Sequence, residues 1–267
     1  MFQNSFHIKR FSNALQYDLR LNAKKYMSFV ASLFVVLLLF DLFFILQSNS
    51  SFKEDQYVAL FYLTFILGMV IVIGTSFPLL RDKKSAINYL MLPASTFEKF
   101  LIQFVIRVLG FVILFMPIFW FDFKLADGMY NLIHWTRLVK IDSFNVLTPF
   151  TLTYLTQLDV FAIVCALFSL ATFLFVGTTY FKKYALAKTV LSFGVFAAFV
   201  FLVFMLFTIV FYPEKFSLGR NPVYVQDYQL ATSVRLINIQ LFFYIIGIVS
   251  SLFLLPLAYF KLKEKEI

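Results

Sequence analysis

Long apolar runs constrain the fold of this chain more than any other feature of its sequence. Between Thr189 and Tyr212, 24 consecutive residues carry no charged side chain. An α-helix rises 1.5 Å per residue, so about 20 apolar residues cross the hydrocarbon core of a bilayer. Five further runs have similar length and character. The sequence therefore predicts six transmembrane helices, at Met27–Leu46, Tyr57–Leu80, Leu101–Phe121, Leu158–Phe181, Thr189–Tyr212 and Ile237–Phe260.

The overall composition supports a membrane protein. Hydrophobic residues make up 61% of the 267 residues and charged residues 14%, whereas soluble domains average about 45–50% and about 25%. A soluble core of this length cannot cover so much apolar surface. The predicted fold class is all-α, a polytopic membrane protein with about six transmembrane helices.

The distribution of Lys and Arg predicts the orientation. With the N-terminus inside, the cytoplasmic pieces 1–26, 81–100, 182–188 and 261–267 carry fifteen of the 23 basic residues, and the outer pieces carry seven. Cytoplasmic loops are enriched in Lys and Arg, so both termini are expected in the cytoplasm. Because the basic residues lie in short clusters between apolar runs, nucleic acid is not an expected partner.

The N-terminal piece 1–26 has the pattern of an amphipathic helix. One face carries Ile8, Phe11, Leu15 and Leu19, and the opposite face carries Lys9, Asn13, Gln16, Arg20 and Lys24. Such a helix lies in the membrane interface among lipid headgroups. It would serve either as a simple anchor or as a strut between a cytoplasmic partner and the first span.

The remaining organisation follows from the spans. Residues 27–260 form one six-helix domain, with a cytoplasmic loop at 81–100, outer loops at 122–157 and 213–236, and a cytoplasmic tail at 261–267.

Catalytic motifs are missing from the sequence. The two histidines, His7 and His134, fall on opposite sides of the membrane, so they cannot share a metal ion. No glycine is followed by lysine at the spacing of a phosphate-binding loop. Cys165 is the only cysteine and has no histidine at a matching depth. We therefore expect neither a metal site nor ATP hydrolysis nor other enzymatic activity in this chain.

Ionisable residues inside a bilayer are functional candidates, and two are present. Arg107 lies near the cytoplasmic end of the third span, where it would either extend to the headgroups or form a bidentate pair with a carboxylate. Asp41 lies near the outer end of the first span, where interfacial water or a polar partner in the bundle is expected. A proton relay is disfavoured, because a relay needs several such groups at mid-depth.

The fourth span is rich in small and hydroxylated residues, including Ser169, Thr172, Thr178 and Thr179. Small residues allow helices to approach closely, and hydroxyl groups can bond between helices. These residues either pack helices together or line a polar path between subunits.

The cytoplasmic loop 81–100 is the most distinctive polar segment. Pro93 disfavours helix at Leu92, and Ser95 with Glu98 has the spacing of a capping box that starts a new helix. The predicted structure is a helix, a break at proline and a capped helix. The apolar side chains of this loop require cover from a protein partner or from the membrane interface.

The segment Tyr-Leu-Met-Leu-Pro-Ala-Ser-Thr-Phe-Glu-Lys-Phe-Leu, from Tyr89 to Leu101, resembles the coupling loop in permease subunits of the type-2 ABC exporters, closest to the small separate permeases of Bacteroidetes-like bacteria. The order of elements along the chain is similar too. The resemblance implies a bacterial cytoplasmic membrane protein that pairs with a second permease subunit and with a separate ATPase, which would hold the ATP and Mg²⁺. It further implies that the ATPase contacts Leu92, Pro93, Ala94, Ser95, Glu98 and Lys99.

Three functional hypotheses follow. The first is a permease subunit of an ATP-driven exporter, with substrate passing between two six-helix subunits, either identical or related. The second is a membrane scaffold that holds a cytoplasmic partner without transporting anything. The third is an intramembrane enzyme that acts on lipid, which would require ionisable residues that meet at mid-depth.

Overall fold

The computed structural model describes residues 6–48, 51–77, 94–132, 140–151, 156–181, 184–211 and 231–264. Helices dominate these ranges, and the predicted all-α class is confirmed. In chain order they are α1 (Ile8–Gln47), α2 (Glu54–Gly74), α3 (Thr96–Leu132), α4 (Gln157–Tyr180), α5 (Ala185–Phe211) and α6 (Ala231–Glu264). Helix α3 is α-helical at Thr96–Phe104, π-helical at Val105–Leu109 and α-helical again at Gly110–Leu132.

Five of these helices are long and apolar enough to cross a membrane: α1 to α4, and the first part of α5, Ala185–Val203. The chain is thus a multi-pass membrane protein. Helix α6 covers the sixth predicted span, but the side chains of residues 231–243 lie outside the described set. The total of six spans stays a prediction.

Helix α1 joins two elements that the sequence analysis separates. The predicted interfacial helix and the first span form one helix without a break at Met27. The segment contains neither Gly nor Pro, the residues that most readily end a helix. Ile8 and Leu19, on the apolar stripe, remain exposed, whereas the polar Asp18 and Asn22 are buried.

One other helix limit differs from the predictions, whereas the start of the fourth span agrees with its prediction to within one residue. Helix α3 continues past the expected end at Phe121 to Leu132, so the start of the predicted outer loop 122–157 is helical. Helix α4 begins at Gln157, where Thr156 and Asp159 form a capping box: the Asp159 N–H donates to Thr156 Oγ1 over 3.3 Å, and the Thr156 N–H donates to Asp159 Oδ2 over 2.9 Å.

Helices α4 and α6 form the most extensive helix pair among the described residues. Their backbones approach closely at Gly247, where an added Cβ would lie 2.8 Å from the carbonyl oxygen of Cys165. A hydrogen bond of 3.0 Å between Ser169 Oγ and Ser250 Oγ also joins them. Small residues and hydroxyl pairs are typical of helix contacts in membranes.

The segments beyond the ends of α1 and α3 meet at one end of the bundle. Two short parallel strands, β1 (Ser51–Phe52) and β2 (Lys140–Ile141), pair there. Beside them the ring of Tyr57 stacks on Phe144 at a centroid distance of 4.5 Å and meets Phe123 edge-on at 4.8 Å. This aromatic cluster fixes the start of α2 against α3.

Candidate functional site

The start of helix α3 is fixed by the capping box that the sequence predicts. The Glu98 backbone N–H donates to Ser95 Oγ over 3.2 Å, and the Ser95 N–H donates to Glu98 Oε2 over 2.8 Å. Two N–H groups that a helix start would leave without partners are thereby satisfied. The backbone changes from extended at Ser95 to helical at Thr96.

The same carboxylate also binds the beginning of α1. Arg10 Nε donates to Glu98 Oε2 over 2.7 Å, and Arg10 Nη2 donates to Oε1 over 2.8 Å. The His7 backbone N–H donates to Oε1 over 2.9 Å. Glu98 is fully buried, whereas the Arg10 side chain is 28% exposed. We call His7, Arg10, Ser95 and Glu98 the N-terminal clamp.

Aromatic contacts extend the clamp to a third helix. Phe97, on the first turn of α3, meets Phe6 edge-on at 6.2 Å and Tyr259 of α6 at 5.9 Å. Phe100 meets the same Tyr259 ring at 6.2 Å. The starts of α1 and α3 and the last part of α6 therefore form one packed unit.

The residues predicted to contact an ATPase lie at this unit or next to it. Leu92 and Pro93 lie outside the described residues, as does the first helix predicted for loop 81–100. Ala94 and Ser95 are half-buried, while Glu98 and Lys99 are 0% and 4% exposed. In this arrangement Glu98 and Lys99 do not offer their side chains to a partner. Their role in coupling stays a prediction, and for Glu98 it would act through the position of the turn.

Arg10 is the member of this site that the sequence analysis missed. Its positive charge near the N-terminus was interpreted as part of the orientation signal for the membrane. A long-range partner 88 positions away leaves no periodic trace in a single sequence. Only the capping box itself, which is local, could be recognised.

Arg107 lies in the π-helical segment of α3, a rare conformation that often marks functional positions. Its guanidinium carbon is 5.2 Å from the centroid of the Tyr26 ring, a cation–π distance. Tyr26 Oη in turn donates to Asp18 Oδ2 over 2.8 Å, and Asn22 Nδ2 donates to Asp18 Oδ1 over 3.1 Å. Arg107 thus contacts α1 through an aromatic ring, and the described residues contain no direct ion pair between it and a carboxylate.

From this geometry we predict how Arg107→Lys changes assembly and stability. Lysine keeps the positive charge and can also contact an aromatic face, although less favourably than arginine. We expect normal assembly and a loss of stability of about 1 kcal/mol or less, measured by thermal unfolding in detergent. Arg107→Met, which removes the charge, serves as the comparison. A loss as large in the lysine variant as in Arg107→Met would show that a bidentate contact is required.

The four hydroxylated residues of α4 lie within the helix packing. Thr172 Oγ1 donates to the Ser169 carbonyl over 2.8 Å, Thr178 Oγ1 to Phe175 O over 2.6 Å, and Thr179 Oγ1 to Val176 O over 2.8 Å. Ser169 bonds to α6, as described above. The hydroxyl hydrogens of the three threonines and the hydroxyl group of Ser169 are therefore engaged inside the subunit, and a role in lining a path between subunits stays a prediction.

Asp41 is fully buried, so of its two expected environments this arrangement agrees with a polar partner in the bundle and not with interfacial water. Its polar neighbour in the bundle is Asp122 of α3. The sequence analysis missed Asp122 because it directly follows the predicted end of the third span and was assigned to the outer loop. Within the described ranges, no group of three or more His, Cys, Asp or Glu side chains could hold a metal ion.

Comparison of the chain with protein-family models, with curated proteins and with solved structures gives no match. Function must therefore be inferred from the residues and their geometry.

Proposed function

We propose that this chain is the transmembrane permease subunit of an ABC-type exporter in the bacterial cytoplasmic membrane, with both termini in the cytoplasm. ATP would be hydrolysed with Mg²⁺ on a separate ATPase subunit, and substrate would pass between two such permease subunits. The resemblance of residues 89–101 to a coupling loop supports this proposal. So does the multi-pass helical fold.

One observation carries the proposal furthest. The Glu98 carboxylate accepts four hydrogen bonds, from His7 N, Ser95 N and two nitrogens of Arg10. These bonds join the capped turn before α3 to the start of α1, and α6 packs against the same turn. A push on the turn would therefore move three helices together instead of bending a loop. A permease that receives mechanical energy from a separate ATPase needs such a rigid element.

The proposal is tested by weakening the turn without disturbing the spans. In the double variant Pro93→Gly with Ser95→Ala, the predicted break at Pro93 is removed and the start of α3 loses its cap. Loss of an N-cap serine costs about 1 kcal/mol, so insertion and dimerisation should be retained. We expect the tagged variant to co-purify less of its ATPase, or to lose the transport-linked stimulation of ATP hydrolysis.

The matched control is Ser32→Ala. Ser32 is an exposed serine on α1 whose hydroxyl bonds only to the Phe29 carbonyl of its own helix. It should behave like the parent protein. If the parent chain co-purifies with a cytoplasmic partner that is not an ATPase, the scaffold hypothesis replaces the permease. If the double variant binds its ATPase and transports normally, the turn does not couple the two proteins.

A further inference from the structure

Two buried carboxyl groups lie at the end of the bundle far from the N-terminal clamp. Asp41 of α1 and Asp122 of α3 are each 0% exposed, and Tyr57 of α2 is 1% exposed. All four carboxyl oxygens and the Tyr57 hydroxyl are buried without a hydrogen-bond partner. Buried polar atoms are nearly always satisfied in folded proteins, so each exception calls for an explanation.

The two carboxyl groups lie close enough to interact with each other. When both are ionised, each offers only acceptors, and two like charges repel in a medium of low polarity. One added proton changes both effects, because the protonated carboxyl donates a hydrogen bond to the other. The pair is therefore compatible with full burial only when it holds a proton.

Tyr57 is an independent observation that points to the same place. Its ring is fixed among Phe119, Phe123 and Phe144, at centroid distances of 5.3, 4.8 and 4.5 Å. Phe119 and Phe123 flank Asp122 on α3, and the Tyr57 hydroxyl lies within electrostatic range of Asp41. The Tyr57 hydroxyl has no partner and lies beside the two acids, so it can donate a hydrogen bond to the carboxylate that remains ionised.

Other occupants fit these residues less well. Calcium needs six to eight oxygen ligands and magnesium needs six, whereas this aromatic pocket offers three side chains. Paired carboxyls also occur in acid–base hydrolases, which would favour the lipid-enzyme hypothesis. A hydrolase must admit water and substrate, and neither carboxyl here has exposed surface. Among the described residues, Tyr57 is the titratable group within range of the two carboxyl groups. None of the three forms an ion pair with a described lysine, arginine or histidine.

We propose that Asp41 and Asp122 form a proton-binding site, completed by the Tyr57 hydroxyl, that holds α1, α2 and α3 together while one proton is bound. In the bound form one carboxyl donates to the other, and the site carries one negative charge. On release the O–H bond breaks, the proton passes to water, and the charge becomes two. The two carboxylates then repel and attract water, so this end of α1 separates from α3. The inference does not depend on the proposed transport function.

Trp120 provides a reporter close to the site. It lies two positions before Asp122, and its indole N–H donates to the Phe144 carbonyl over 3.1 Å. The chain has two tryptophans, so Trp135→Phe leaves Trp120 as the only tryptophan, and excitation at the red edge of the absorption band avoids the tyrosines. The full-length single-tryptophan protein in lipid nanodiscs is titrated with pH. We expect its emission to move to longer wavelength in one step as the pH rises and water enters.

Single amide variants distinguish this site from other titrating groups. In Asp41→Asn or Asp122→Asn the amide donates to the remaining carboxylate, which reproduces the charge and the hydrogen bond of the proton-bound form. Each variant should keep the low-pH emission across the whole range. The control Asp127→Asn removes an acid from the same helix, one that bonds only to Asn131, and should retain the step.

Infrared spectroscopy provides a second readout. Below the step, the parent protein should show a protonated-carboxyl C=O band that both Asp41→Asn and Asp122→Asn lack, while size-exclusion chromatography confirms that the variants are folded. Absence of this band, or survival of the emission step in either Asn variant, would overturn the proposal. If the pH at which the step occurs changes with Na⁺ or Ca²⁺ concentration, the site binds a metal cation instead.

Discussion

Replacing Gly247 by alanine should separate α4 from α6 and destabilise the protein by about 1–3 kcal/mol, the usual cost of overpacking a well-filled interior. The new Cβ would lie 2.7 Å from Cys165 Cβ, 2.8 Å from its carbonyl oxygen and 3.0 Å from its carbonyl carbon. Two of these three atoms belong to the backbone, so a side-chain rotation cannot relieve the contact. The helices must move apart, and the Ser169–Ser250 hydrogen bond should weaken with them. Thermal unfolding of the full chain in detergent measures the loss.

Gly194→Ala is the matched control for this prediction. Gly194 also lies inside a helix, α5, and no heavy atom lies within 4 Å of an added Cβ. Alanine favours a helix over glycine by about 0.5–1 kcal/mol, so this variant should be neutral or slightly stabilised. Equal unfolding temperatures for Gly247→Ala and Gly194→Ala would contradict the close contact.

The sequence predicts those parts of the fold that depend on local properties. A long uncharged run such as Thr189–Tyr212 can cross a membrane only as a helix, because every backbone polar group must be satisfied within the segment. The Ser95–Glu98 box is also local, since both partners lie within one turn. Helix limits were less accurate: the apolar run ends at Asp122, yet α3 continues to Leu132, and Phe123 in this extension packs on Phe144 at a centroid distance of 5.7 Å.

The candidate sites depend instead on contacts between distant residues. Asp41 was recognised as unusual, but its neighbour Asp122 was not, because an acid after an apolar run normally marks the start of a loop. Arg10 and Glu98 could not be paired, since nothing in one sequence says which of the cytoplasmic cations contacts which acid. A single sequence shows which side chains are unfavourable to bury. Only the packing of α1 against α3 shows which partners surround them.

Arg10→Ala should release the first part of α1 from α3. The variant leaves the fully buried Glu98 carboxylate with two backbone donors, His7 N and Ser95 N. Removing one partner of a buried pair costs about 3–5 kcal/mol, and hydrogen bonds to charged groups contribute about 1.5–3 kcal/mol. The Arg10 side chain is 28% exposed, so the pair is only partly buried. We therefore expect Arg10→Ala to lower the local stability by about 2–3 kcal/mol, which is less than the loss of a fully buried pair would cost. The loss should be local, since the spans keep their own contacts.

Hydrogen exchange measures this release directly. Amides at the start of α1 should exchange roughly 30- to 150-fold faster in Arg10→Ala, which is the same free energy expressed as a ratio. Arg20→Ala removes a cation from the exposed side of the same helix and should leave exchange there unchanged.

Glu98→Gln should have a smaller effect than Arg10→Ala, because the freed guanidinium can reach water and glutamine can still accept from Ser95. Since Arg10 and Glu98 contact each other, the double variant should lose less than the sum of the two single losses. Unchanged exchange in Arg10→Ala, or additive losses in the double variant, would show that the clamp does not hold α1 to the turn.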